Sequence, residues 1–185
     1  MKSVISAVAI AVMSLFALNA QAADGTITFN GTITDTTCSI NGVSSGTPAD
    51  VTVTLPTVPA GTLAAAGDTA GVSGPSDIHF ALSGCTGAAT KAIARFENGP
   101  TVDQASGNLV NQAGAGGATN VQVQLLNSKF EPINVTTNSN NDLAANGADI
   151  SSGSGDLTYF GQYIATGAAT SGTVDTSVQY TMDYQ

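Results

Sequence analysis

Residues 173–184 and 26–34 carry one signature at two distant places in the chain. In the first, Val174, Thr176, Val178, Tyr180, Met182 and Tyr184 occupy every second position. In the second, Ile27, Phe29, Gly31 and Ile33 alternate with Thr26, Thr28, Asn30, Thr32 and Thr34. A period of two marks a β-strand with one face covered and the other in water. The best strands of the sequence therefore stand near its ends, where residues fray unless something ties them down. They must pair with each other inside one sandwich, or pair with something else. Gly31 interrupts an otherwise apolar row, and a strand glycine costs about 0.5–1 kcal/mol relative to alanine. It marks either a bulge or bend, or a position that faces a shallow pocket.

Short alternating runs recur through the rest of the chain. Residues 51–55 alternate Val51, Val53 and Leu55, and Pro56 ends them. Residues 77–83 place Ile78, Phe80 and Leu82 on one face and lead into Cys85. Further strands are expected at 92–96, 121–126 and 157–164, with turns at Asn41-Gly42, Asn98-Gly99-Pro100 and Asn146-Gly147. Helix signals are nearly absent. Residues 63–66, closed off by Gly61 and Gly67, make a turn or two at most. Short strands between turn clusters spell an all-β sandwich or barrel of one domain.

Lys2, an apolar run from Val4 to Leu18 and the small-x-small triplet Ala20-Gln21-Ala22 form an export leader. Cleavage would leave Ala23 first, so residues 1–22 are read as signal peptide and the product as exported and soluble. The chain carries 4 Lys and Arg against 13 Asp and Glu. Once Lys2 is cut away, only Lys91, Arg95 and Lys129 remain as strong bases. Such an acidic surface repels phosphate, which argues against nucleic acid and against anionic lipid as partners. Two cysteines, Cys38 and Cys85, in an exported chain read as one disulfide. A metal centre lacks ligands, because His79 is the single histidine and no third thiol exists. His79 lies between Ile78 and Phe80 and so faces away from their side, towards the surface. There is no Gly-x-Ser-x-Gly elbow, and Asp142, Asp149 and Asp156 do not match a calcium loop. Neither a cofactor nor an enzymatic activity is expected.

The order of these pieces resembles the pilin subunits of chaperone–usher fimbriae, the type 1 and P pilus kind. TITFNGTITDTTCSI is similar to that family's N-terminal extension running into the first cysteine. VTLPTVPAG and DIHFALSGC are similar to the stretch that leads to the second. NVQVQLLNSKFEPINV resembles the central hairpin. FGQYIATGAATSGTVDTSVQYTMDYQ resembles the C-terminal signature, with Gly172 fourteenth from the end and Tyr184 penultimate. The resemblance implies an incomplete immunoglobulin-like β-sandwich that lacks its last strand and is completed by donor-strand complementation. Residues 23–34 would be the donor strand, with Ile27, Phe29, Gly31 and Ile33 facing inwards. Residues 35–185 would form the pilin domain.

By the same resemblance the acceptor groove runs beside the C-terminal strand, lined by Val174, Val178, Tyr180, Met182 and Tyr184. There Gly172 either opens that strand or makes an ordinary turn before it. The implied partners are identical or related pilin subunits, a periplasmic chaperone and an outer-membrane usher, on a route through the periplasm to a surface fimbrium. The expected function is a structural subunit, most simply the repeating rod subunit of a fibre used in adhesion. The alternatives are a minor adaptor or tip subunit and, from another class, a carbohydrate-binding secreted sandwich. A tip adhesin of this family would need a second, lectin domain, for which the chain is too short.

Overall fold

The structure, a computed structural model, describes residues 28, 33 and 35–185. The leader and the donor-strand positions Ile27, Phe29 and Gly31 lie outside the described residues. Ten strands follow in chain order: β1 (Thr37–Ile40), β2 (Thr69–Ala70), β3 (Ile78–Thr86), β4 (Lys91–Phe96), β5 (Leu109–Val110), β6 (Val121–Leu126), β7 (Pro132–Ile133), β8 (Ala148–Asp149), β9 (Gly155–Ala165) and β10 (Tyr180–Tyr184). They form two antiparallel sheets. The larger runs β1-β3-β9-β6-β5, with β2 beside β9 and β7 beside β6; the smaller runs β10-β4-β8.

Alternation decides which side of each strand is covered. Ile78, Phe80 and Leu82 are buried while His79 and Ala81 are only partly covered, because successive side chains of β3 leave opposite faces. β4 meets these residues from the other sheet with Ala92, Ala94 and Phe96. The Phe96 ring stands edge-on to Tyr159 of β9 at 5.0 Å, and Phe80 does the same at 6.1 Å. These contacts place one core between the two sheets. Full burial of a side chain such as Phe80, 1% exposed, contributes about 1.5–3 kcal/mol.

The turns follow local chemistry. Asn41 and Gly42 both take positive φ, at 51° and 78°, and Ile40 bridges Val43 across them. That is the two-residue hairpin turn which Asn-Gly favours. Cys38 of β1 and Cys85 of β3 form the disulfide, closing a sequence separation of 47. In the chain-entropy picture it contributes about 4 kcal/mol by restricting the unfolded chain.

Several expectations need correction. Residues 51–55 alternate in burial as expected, yet they join no sheet among the described residues. Of residues 173–184, only Tyr180–Tyr184 form a ladder. The turn or two expected around residues 63–66 are a 3-10 turn at Ala60–Leu63 and a second turn closed by the Asp68 N–H on the Ala65 carbonyl at 3.1 Å. Asn146-Gly147 is no hairpin turn. Asn146 ends a single α-helical turn, α1 (Leu143–Asn146), and Gly147 sits at φ −68°. Asp142 starts α1 by accepting a hydrogen bond from the Ala145 N–H at 3.1 Å, the side-chain cap that aspartate supplies.

Candidate acceptor groove

β10 pairs with β4 along one edge, with Tyr180 opposite Phe96, Met182 opposite Ala94 and Tyr184 opposite Ala92. Its other edge has no strand partner among the described residues. Ahead of β10 the chain stays extended, and its outer backbone is already engaged. The carbonyls of Asp175, Ser177 and Gln179 accept from the Gln112 N–H, the Thr101 hydroxyl and the Glu97 N–H at 2.6–2.8 Å. Backbone groups alternate sides along a strand. Those of Val174, Thr176 and Val178 therefore face the open edge.

Residues 51–55 form the opposite rim. Val51, Val53 and Leu55 are partly buried and alternate with exposed Thr52 and Thr54. Across from them, Val174, Thr176, Val178, Tyr180, Met182 and Tyr184 are all partly buried, while Thr173, Asp175, Ser177, Gln179 and Thr181 are exposed. Between the two rims runs a groove of ≈ 1210 Å³ whose floor includes Phe80, Leu109, Val123 and Leu125. Six inward positions at about 3.3 Å per residue make its long edge roughly 33 Å. Apolar side chains line both rims and the floor among polar ones, and the backbone facing the groove has no strand partner among the described residues.

The sequence-derived positions distribute as follows. Val174, Val178, Tyr180, Met182 and Tyr184 all line the groove, and so does Cys38 at one end. Gly172 is not part of the lining. A Cβ there would lie 2.4 Å from the Ala118 nitrogen and 2.6 Å from the Gly117 carbonyl carbon. Glycine at 172 thus lets the chain press backbone to backbone, where Thr173 bridges Gly117 in parallel. Ile33 is fully exposed and makes no part of the core. His79 sits on the outer face of β3, its Nε2 3.1 Å from Asp156 Oδ1, a surface pair of small energetic weight.

One feature of the groove has no signal in the sequence. Tyr180 reaches across from β10, and its hydroxyl donates to the Ala49 carbonyl at 2.6 Å. Its ring lies 4.7 Å from Phe80. Burial pushes its phenol above the usual tyrosine range, and nearby Asp50 adds to the effect. Burial also raises Tyr163 and Tyr184, which line the same groove, and Tyr159 beneath it. A raised folded-state value means that the buried neutral phenol is preferred. That stability is intact below the unfolded value of about 10 and is lost as pH climbs through the folded values. Thermal melts should therefore hold steady to about pH 10 and then drop steeply. A midpoint that stays flat well beyond that pH would show the phenols to be freely solvated.

Two facing sheets, with one edge of the smaller sheet open among the described residues, define the class: an immunoglobulin-like sandwich with a groove along that edge. The comparisons agree. The family model described as type-1 fimbrial protein, A (FimA), matches residues 55–185. The major fimbrial subunit SMF-1 of Stenotrophomonas maltophilia is 45% identical over 175 residues, spanning 90% of this chain and 96% of that one. The F17 fimbrial protein of Escherichia coli is 42% identical over 171 residues, 88% of each chain. In fold, a subunit from a chaperone–usher pilus solved for its rod uncoiling matches with a TM-score of 0.57 at 23% identity, covering 88% of this chain and 96% of that chain. The chain belongs to the type-1 fimbrial protein family. It is a structural pilus subunit that assembles with other pilin subunits into a surface fimbrium.

Proposed function

We propose that the groove receives a strand from another subunit, and that residues 23–34 of a second copy are that strand. The carrying observation is the pair of unpaired rims, residues 51–55 and the open edge of residues 174–184, with an apolar floor between them. A bare edge of this kind templates aggregation unless it is covered. Strand addition covers it and contributes ladder hydrogen bonds together with apolar burial. Each of Ile27, Phe29 and Ile33 brings about 1.5–3 kcal/mol if fully buried. The exposure of Ile33 in its own subunit supports the same division of labour.

On this reading residues 1–22 are the leader, 23–34 the donor strand and 35–185 the pilin domain. Before assembly the groove is covered by a periplasmic chaperone, and an outer-membrane usher hands it to the next subunit. The role is architectural rather than enzymatic. The repeating rod position is favoured by the major-subunit character of SMF-1.

The test uses a synthetic peptide with the sequence of residues 23–34, added in excess to the full chain during assembly. Its entry into grooves should stop fibre growth and raise the melting temperature, while a scrambled peptide should do neither. Unchanged growth and melting with the native peptide bound to nothing would refute strand reception.

A further inference from the structure

The hairpin between β6 and β7 turns on residues 127–131 and holds Phe130 at φ 60°. That left-handed conformation suits glycine. A bulky aromatic there is a backbone outlier of the kind that gathers at functional sites. Asn127, 1% exposed, keeps the turn in place. Its Oδ1 accepts from the Lys129 and Glu131 N–H groups at 2.9 and 3.0 Å. Its Nδ2 donates to Glu131 Oε2 and to the Asn140 carbonyl at 2.8 and 3.0 Å. The Phe130 ring stacks on Phe160 with centroids 4.3 Å apart, yet the residue stays 58% exposed. Covering Phe160 accounts for one face of the ring and leaves the other in water.

Lys129 stands beside it, exposed and in no ion pair among the described residues. The other two described bases are engaged within their own chain. Arg95 lies 3.4 Å from Asp183, and the Lys91 ammonium donates to the Ala144 carbonyl. The tip thus joins a rigid exposed ring to an unpaired ammonium, on a chain of 13 acids against 4 bases.

We propose that this tip, Lys129 with Phe130, is a second contact between copies of the chain, docking on an acidic surface of another copy in the fimbrium. Asp142, Asp149, Asp156 and Asp175 are all exposed, so neighbouring subunits offer one another carboxylates. Lys129 is drawn to that surface while most other charges are repelled by it. The ring supplies apolar burial and the charge sets orientation. Tip and acidic surface are different patches, so the contact is heterologous and repeats along an open fibre. The tip is not part of the groove lining, and its docking does not depend on which strand fills the groove.

The test uses fibres grown from an equal mixture of unlabelled and heavy-nitrogen full-length subunits. A carbodiimide condenses a lysine amine with a carboxylate it touches, with loss of water, and peptide mass spectrometry reads the partner of each lysine. Lys129 should link to an Asp or Glu of a second copy, seen as mixed-isotope peptides. That yield should fall about tenfold in molar salt. Lys91, opposite Asp149 on β8, should link within its own chain and serves as the internal control. A Lys129 that stays unlinked in intact fibres, or links only in unmixed pairs, overturns the proposal. It leaves strand reception standing, since the fibres formed.

Phe130→Gly then isolates the ring. Glycine suits φ 60° and relieves the backbone, so the subunit still folds. If the ring docks, mixed Lys129 links in the variant fibres should fall about tenfold. A parental yield would show that Phe130 serves only to cover Phe160, and the proposed contact falls. The measurement on parental fibres decides the matter by itself if Phe130→Gly does not assemble.

Discussion

Fibres should disappear when Val178 is replaced by aspartate, although the Val178→Asp subunit itself still folds. Val178 lies midway along the inward row and is only partly buried in the open groove. There the new carboxylate stays wet, and the two-sheet core below loses only the partial contact that Val178 makes with it from the rim. Closing a strand over it is another matter. No basic residue lines the groove among the described residues, so the charge would be buried without a partner, at a cost of several kcal/mol. At 1.4 kcal/mol per tenfold, occupancy should fall by at least about a hundredfold. The variant's own residues 23–34 are unchanged, so it can still enter a wild-type groove and then receive nothing. A minority of Val178→Asp in a mixed population should therefore shorten fibres out of proportion to its share. Electron microscopy of fibre length against mixing ratio measures this. Wild-type lengths at high variant fraction would mean that Val178 is never covered.

How far the sequence announces this site depends on what alternation encodes. It encodes which face of a strand is covered, and so it locates Ile78, Phe80 and Leu82 and the inward row from Val174 to Tyr184, but not Val121–Leu126, whose Gln122 is buried along with its apolar residues. It does not encode whether the backbone has a neighbour. Residues 51–55 read like any other strand, yet they stand as an unpaired rim. The same blindness makes residues 173–179 look like ladder when their outward carbonyls are taken by loop donors instead. Two-residue strands such as Leu109–Val110 and Ala148–Asp149 are too short to show a period. They form because β6 and β4 already offer an edge. The helical turn Leu143–Asn146 did carry a signal, Asp142 in the cap position before Leu-Ala-Ala. The Tyr180 bond to Ala49 carried none, because it joins positions 131 apart in sequence.

Gly31→Leu should have the mirror-image effect, a subunit that receives but cannot donate. Overpacking an apolar site by this many carbons usually costs about 1–3 kcal/mol. A one-residue slip cannot relieve it, because the slip would turn Ile27, Phe29 and Ile33 outwards. Residues 35–185 are unaltered, so the groove between residues 51–55 and β10 keeps its shape and still accepts a wild-type strand. Asn30→Gln, on the polar face of the same strand, should be nearly silent. The decisive case mixes Gly31→Leu with Val178→Asp. Neither variant polymerises with itself, one for want of a strand that fits and the other for want of a groove that closes. Together they still hold one good strand, on Val178→Asp, and one good groove, on Gly31→Leu. The outcome should be a one-to-one heterodimer that grows no further, visible by size-exclusion chromatography with mass spectrometry. Long mixed fibres would mean that strand and groove are not the joint between subunits. Two separate monomers would mean that Gly31→Leu damages its own groove, and that Gly31 belongs to a bend of its own subunit.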